Sequence, residues 1–143
     1  MAKGRTKRHS SKKSVARTVI GAPRVVRWLV VVLWAAGIWV LSSIPELKSG
    51  LEQDFLLRKL AHGFEFGVLA MLLIWALPMP RQRVWLRFLG AAILALEYAA
   101  LDEIHQGFVP GREPSLRDVG IDAIGVAVGV LVWLVGSRIR RLR

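Results

Sequence analysis

The eighteen residues from Trp28 to Pro45 carry no charge, between Arg27 on one side and Glu46 on the other. At ~1.5 Å of rise per residue this run reaches ~27 Å as a helix, close to the thickness of a bilayer's hydrocarbon core. A helix on a soluble protein mixes polar and apolar residues on a 3.6-residue period, because one of its faces meets water. No such mixing occurs here. The block from about Val25 to Ile44 is therefore read as a membrane span. A cleaved signal peptide is the competing reading of an apolar run behind a basic leader. Ser42-Ser43-Ile44-Pro45 offers no small-x-small cleavage site, and the run is long for a signal core, so the span is expected to be retained.

Three more apolar blocks follow, from about Phe55 to Met79, from Val84 to about Ile104 and from about Asp118 to Gly136. With 54% hydrophobic residues gathered in four blocks, the pattern predicts an all-α membrane protein, a bundle of four transmembrane helices. Residues 1–24 form a basic arm, 25–136 the membrane domain and 137–143 a basic tail. Pro45, Pro78, Pro80, Pro110 and Pro114 all fall in the connections, where a missing N–H and a fixed φ end a helix without damaging a span. Trp28, Trp75, Trp85 and Trp133 fall near one interface, where amphipathic rings are stable.

Orientation follows from the basic residues. The leader through Arg27, the second connection with Arg81, Arg83 and Arg87, and the tail with Arg138, Arg140, Arg141 and Arg143 hold sixteen Lys or Arg and no acid. The other two connections, with their helix ends, mix Lys48, Arg58, Lys59, Arg112 and Arg117 with Glu46, Glu52, Asp54, Asp102, Glu103, Glu113 and Asp118. By the positive-inside rule the first side is cytoplasmic, and an even number of spans puts both termini there. The net charge of +11 does not imply nucleic acid. The arm lacks interleaved aromatics and a folded nucleic-acid motif, and is read as resting on anionic lipid head groups. There is no cysteine, hence no disulfide, thiol nucleophile or thiolate metal site.

Chemistry is concentrated at the outer ends of spans two, three and four. Arg58, Lys59, His62 and Glu65 open the second. Glu97, Tyr98, Asp102, Glu103, His105 and Gln106 close the third, and Asp118 and Asp122 open the fourth. A charge at the centre of a span costs ~2.5 to 3.5 kcal/mol on insertion scales, so Glu65, Glu97 and Asp122 are expected to face inward, paired or protonated. Asp118, Asp122, Gly125 and Gly129 share a stripe about 60° wide, and Lys59, His62 and Glu65 cover about 120° of the second span. Glu97 lies about 140° from Asp102, which requires a separate contact or a bend before Asp102. Gly125-x-x-x-Gly129 admits close backbone approach, within the chain or in a homo-oligomer.

The run Asp102-Glu103-x-x-Gln106-x-Phe108-x-Pro110-Gly111-Arg112, with Asp118-x-x-x-Asp122-x-x-Gly125-x-x-x-Gly129 after it, resembles the signature of the VanZ-like family of small membrane proteins. Lys59-x-x-His62, and Leu41-Ser42-Ser43-x-Pro45 before it, match that family's earlier landmarks in order. The resemblance covers about residues 25 to 136, with one departure: the family usually has Asn where this chain has Asp122. It implies a cell-envelope protein of the bacterial cytoplasmic membrane, linked through the family's eponymous member to susceptibility to teicoplanin.

The binding cluster is thus expected to contain Lys59, His62, Glu65, Asp102, Glu103, Gln106, Arg112, Asp118 and Asp122, with Gly125 and Gly129 in helix packing. Three roles stand open for it: a pocket for an anionic lipid or lipid-linked precursor head group, a purely structural clamp on the Pro110-Gly111-Arg112 turn, and a hydrolase. In the last, His62, Glu103 and Asp118 serve as acid and base, or the histidines and acids hold a divalent metal. No H-E-x-x-H or Glu-x-x-His motif supports the metal version, and neither a metal nor another cofactor is assigned. A reporter fused after Arg143 is expected to give a cytoplasmic signal in intact cells; an extracytoplasmic signal would refute the even count of spans.

Overall fold

The computed structural model describes residues 22–45, 54–78, 83–112 and 114–142. These residues form four helices, α1 (Arg24–Ser42), α2 (Asp54–Ala76), α3 (Val84–Gln106) and α4 (Leu116–Arg141), and among them there is no strand. Each helix is long and apolar enough to cross a membrane. Their outward surfaces agree: Val25 and Leu33 are 70% exposed, and Leu60, Ile104 and Ile124 are exposed as well. Lipid tails solvate such a surface where water would not. The chain is a multi-pass membrane protein.

Proline, glycine and serine punctuate the helices as their backbone chemistry requires. Pro23 stands at the N-cap of α1, where its lacking N–H is harmless, and Pro45 follows the end of that helix. After α3 the chain turns through Val109-Pro110-Gly111-Arg112, with the Arg112 N–H donating to Val109 O at 3.1 Å. Gly111 takes φ 81°, the left-handed conformation that the third position of a type II turn demands. Ser115 then caps α4, its hydroxyl accepting the Arg117 N–H at 3.2 Å. The arm expected over 1–24 lies outside the described residues up to position 21. At the other end α4 continues through residues 137–141, which were read as tail. Basic residues are stabilised at a helix C-terminus by the macrodipole, so the arginines there extend the helix.

α2 lies at the centre. Phe66, Leu69, Ala70, Leu73 and Ile74 on it are buried against Ile38 of α1, Val126 of α4, and Ala91, Ala95 and Ala99 of α3. The three alanines repeat every fourth residue and are fully buried, so they form a smooth stripe on which α3 lies close to its neighbours. α2 touches the other three helices, whereas among the described residues α1 and α4 do not pack on each other.

The closest approach is between α2 and α4. These two helices run parallel, separated in sequence by α3, and meet glycine to glycine. A Cβ placed on Gly125 would collide with the carbonyl oxygen of Gly63, and one on Gly129 with the carbonyl oxygen of Gly67. One on Gly67 would come within 2.9 Å of Gly125 O. The Gly125-x-x-x-Gly129 stripe thus packs within the chain, against a Gly63-x-x-x-Gly67 stripe that the sequence analysis did not single out. At the opposite end from the polar cluster, Arg27 donates to Trp75 O at 3.3 Å and stands 5.6 Å from the Trp75 ring centroid. Arg140 stands 5.7 Å from that of Trp133. Arginine over tryptophan anchors a span at the interface.

Gly125→Ala and Gly129→Ala are expected to destabilise the protein by about 1–3 kcal/mol or more, because backbone must separate to admit each methyl. Gly37→Ala and Gly136→Ala, whose Cβ positions meet nothing within 4 Å, should leave stability unchanged. Melting temperatures of the purified variants in mild detergent test the contrast.

Candidate functional site

The polar residues at the ends of α1 and α3 and the starts of α2 and α4 form two linked groups. The first joins α1, α3 and the turn after α3. Ser42 Oγ donates to Asp102 Oδ2 at 2.7 Å, and Gln106 Nε2 donates to the same oxygen at 2.9 Å. Gln106 Oε1 accepts from Arg112 Nη1 at 2.9 Å, and Arg112 Nη2 donates to Ile44 O at 3.2 Å. Asp102 and Gln106 are one helical turn apart, so one amide serves both a carboxylate on its own helix and a guanidinium beyond the helix end. Asp102 is 1% exposed. Beside this relay, the Trp39 and His105 rings stack with centroids 3.8 Å apart, and His105 Nε2 is 2.8 Å from Ser43 Oγ.

The second group joins α2 to α4 around a cavity of about 550 Å³. Lys59 is ion-paired with Asp118. One turn further in, His62 Nδ1 lies 3.7 Å from Asp122 Oδ1, beyond hydrogen-bond reach. Glu103 Oε1 accepts the Ser115 N–H at 2.5 Å, which ties α3 to the N-terminus of α4. The parallel register set by the glycines explains the pairing: with Gly63 opposite Gly125, Lys59 and His62 fall beside Asp118 and Asp122. Arg58, Arg112 and Arg117 also line the cavity. Its wall thus carries four fixed cations besides His62, and three carboxylates, of which Glu103 and Asp118 already have protein partners.

Seven of the nine expected cluster residues line the cavity: Lys59, His62, Glu103, Gln106, Arg112, Asp118 and Asp122. Asp102 does not, because Ser42 and Gln106 enclose it. Glu65 is also outside the lining. It is half-buried, its backbone carbonyl accepts Trp34 Nε1–H at 3.0 Å, and its carboxylate makes no hydrogen bond or ion pair among the described residues. Glu97 is exposed on an unbroken α3 while its neighbour Tyr98 turns inward to donate to Ala35 O at 2.7 Å. No break before Asp102 rescues Glu97 for the cluster. Among the described residues Arg112 makes no ion pair and meets Asp102 only through Gln106.

Three features lie outside the cluster expected from the sequence. Ser42 enters that reading only as a landmark, although a serine next to a span's end is a ready donor to a buried acid. Arg58 opens the second span but is not among the expected cluster residues, and it lines the cavity. Trp39, at the far end of α1 from the other interface tryptophans, pairs with a histidine on α3. Among the described residues no three His, Asp or Glu side chains are grouped to hold a metal ion, and His105 faces Trp39 and Ser43, away from His62.

Gln106→Ala is expected to cost on the order of 1–3 kcal/mol, because it leaves a buried carboxylate and a guanidinium each short of a partner. The loss should be read as a lower melting temperature and as faster proteolysis of the 107–115 turn. A variant as stable as the parent would show that the relay contributes nothing to holding that turn.

No curated protein matches the chain, and no solved structure matches it. A family model does, over residues 7–137, which takes in α1, α2, α3 and α4 up to Ser137. With the ordered landmarks from Ser42 to Gly129 gathered around one end of a four-helix membrane bundle, the chain belongs to the VanZ/LLP1 family.

Proposed function

We propose that this protein binds a phosphate-bearing head group, that of an anionic lipid or a lipid-linked precursor, in the cavity between α2, α3 and α4. In this reading both termini are cytoplasmic, the cavity faces the outer leaflet of a bacterial cytoplasmic membrane, and occupancy of the cavity underlies an envelope role of the teicoplanin-susceptibility type. The observation that carries it is the state of Arg112. Its guanidinium lines the cavity yet donates only to neutral acceptors, Gln106 Oε1 and Ile44 O, with Nε buried and unsatisfied. A charge held in low dielectric without an ionic partner attracts an anion strongly, and a planar guanidinium suits phosphate. Arg117 and the first turn of α4 add positive potential to the same wall. The charge asymmetry of the connections supports the orientation.

A structural clamp is the second reading, and the Ser42, Asp102, Gln106, Arg112 relay favours it. That relay joins three segments and would hold the turn whether or not a ligand is bound. The two readings separate at Arg117, which lines the cavity but is exposed, and whose side chain makes no hydrogen bond or ion pair among the described residues. Loss of a charged hydrogen bond corresponds to ~1.5–3 kcal/mol, so Arg117→Ala is expected to weaken binding of phosphatidylglycerol by roughly tenfold or more, with the melting temperature unchanged. Lipid retention on the purified full-length protein, followed by native mass spectrometry, measures it. Equal retention of phosphatidylglycerol by parent and variant would overturn the head-group reading.

A further inference from the structure

The cavity wall holds two unsatisfied groups of opposite kind. Arg112 Nε is a buried donor without an acceptor, and Asp122 Oδ1 is a buried acceptor without a donor. Asp122 is 1% exposed, lines the cavity and sits one turn deeper along α4 than Asp118, about 6 Å along the axis. The nearest base, His62 Nδ1, stops at 3.7 Å, too far to share a proton in a hydrogen bond. Lys59 is directed to Asp118. Glu103 takes the Ser115 N–H. Among the cavity's carboxylates, Asp122 is therefore the one with a buried oxygen left over.

A buried polar atom without a partner is rare, and in a cavity it marks where a ligand's complementary atom belongs. An anion alone satisfies only half of this wall. Phosphate on the arginine side would leave Asp122 unsatisfied and would repel it. A ligand that carries a phosphate and, a short spacer away, a cationic N–H donor satisfies both.

We infer that the cavity takes a phosphate ester whose second arm ends in a primary amine, with the phosphate on the Arg112 and Arg117 side and the ammonium on Asp122. The phosphoethanolamine head group has this chemistry, whether on a lipid or as a free ester. Phosphocholine carries the same charges but has no N–H to donate. The inference rests on the head-group reading above and narrows it: the negative end of the ligand is shared, and the donor end is what this wall selects. Asp122 thereby acquires a role that an amide would fill poorly, since a carboxylate adds the attraction of opposite charges to the hydrogen bond and an amide does not.

The experiment compares phosphatidylethanolamine with phosphatidylcholine of identical acyl chains, binding to the purified full-length protein in mild detergent, with soluble phosphoethanolamine as competitor. The parent should prefer phosphatidylethanolamine by about tenfold, and Asp122→Asn should weaken phosphatidylethanolamine far more than phosphatidylcholine, bringing the two lipids to within about twofold. Equal binding of both lipids by the parent would overturn the amine inference while leaving phosphate recognition intact. Binding of neither, together with no binding of phosphatidylglycerol, would overturn the head-group reading and this inference with it. The parent's own lipid preference decides the question even if the variant does not fold. Competition by the soluble ester as strong as by the lipid would support the amine class and assign the ligand to the aqueous side.

Discussion

The contact between the backbones of α2 and α4 is the constraint on which the rest of this molecule depends. In a bilayer no hydrophobic drive presses one helix on another, so the helices associate through van der Waals contact and interhelical polar bonds. Gly63 and Gly67 against Gly125 and Gly129 bring two parallel backbones close enough that a side chain at Gly67, Gly125 or Gly129 would intrude. The register of that contact then decides which polar residues meet. Lys59 arrives beside Asp118 and His62 beside Asp122 because they stand on or beside the glycine faces of their helices, within about two turns.

Polar groups at membrane depth need partners, and this chain supplies them unevenly. Asp102 is enclosed by Ser42 and Gln106, so a buried acid is held by two neutral donors from two helices. Gln106 extends the bonding to Arg112, and Arg112 to the carbonyl that ends α1. The turn after α3 is irregular backbone, tolerated near a membrane when it is tied to protein in this way. On the other side of the same residues the cavity retains an unsatisfied donor and an unsatisfied acceptor. Asp102 Oδ1 is also buried without a hydrogen bond, but Asp102 lies outside the cavity, whereas Arg112 and Asp122 line it; that difference in position is the physical basis for separating the structural part of the cluster from the part offered to a ligand.

Four spans, their approximate ends and the crowding of charge at one end were legible in the residues. An uncharged run of eighteen, prolines confined to connections and basic residues gathered at alternate connections are one-dimensional signals of partition between lipid and water. The helical stripe on α4 was legible too, because periodicity alone places Asp118, Asp122, Gly125 and Gly129 on one side. The matching stripe on α2 went unread, since Gly63 and Gly67 sit among larger residues and announce themselves only when a partner backbone is opposite. The extension of α4 to Arg141 went unread for a different reason: charge at the end of a span looks like a tail, whereas a helix C-terminus welcomes it.

By itself the sequence determined that this chain crosses a membrane four times and that its acids and bases gather near one surface, because the free energy of transfer into lipid is a sum over residues and needs no knowledge of neighbours. Only the tertiary structure decided which of those groups satisfy one another. Hydrogen bonds act over about 3 Å, so whether Glu65 and Glu97 join the cluster, whether Arg112 meets a carboxylate or an amide, and whether Asp122 keeps an oxygen unspent are set by helix register and rotation, which no single helix carries in its own periodicity.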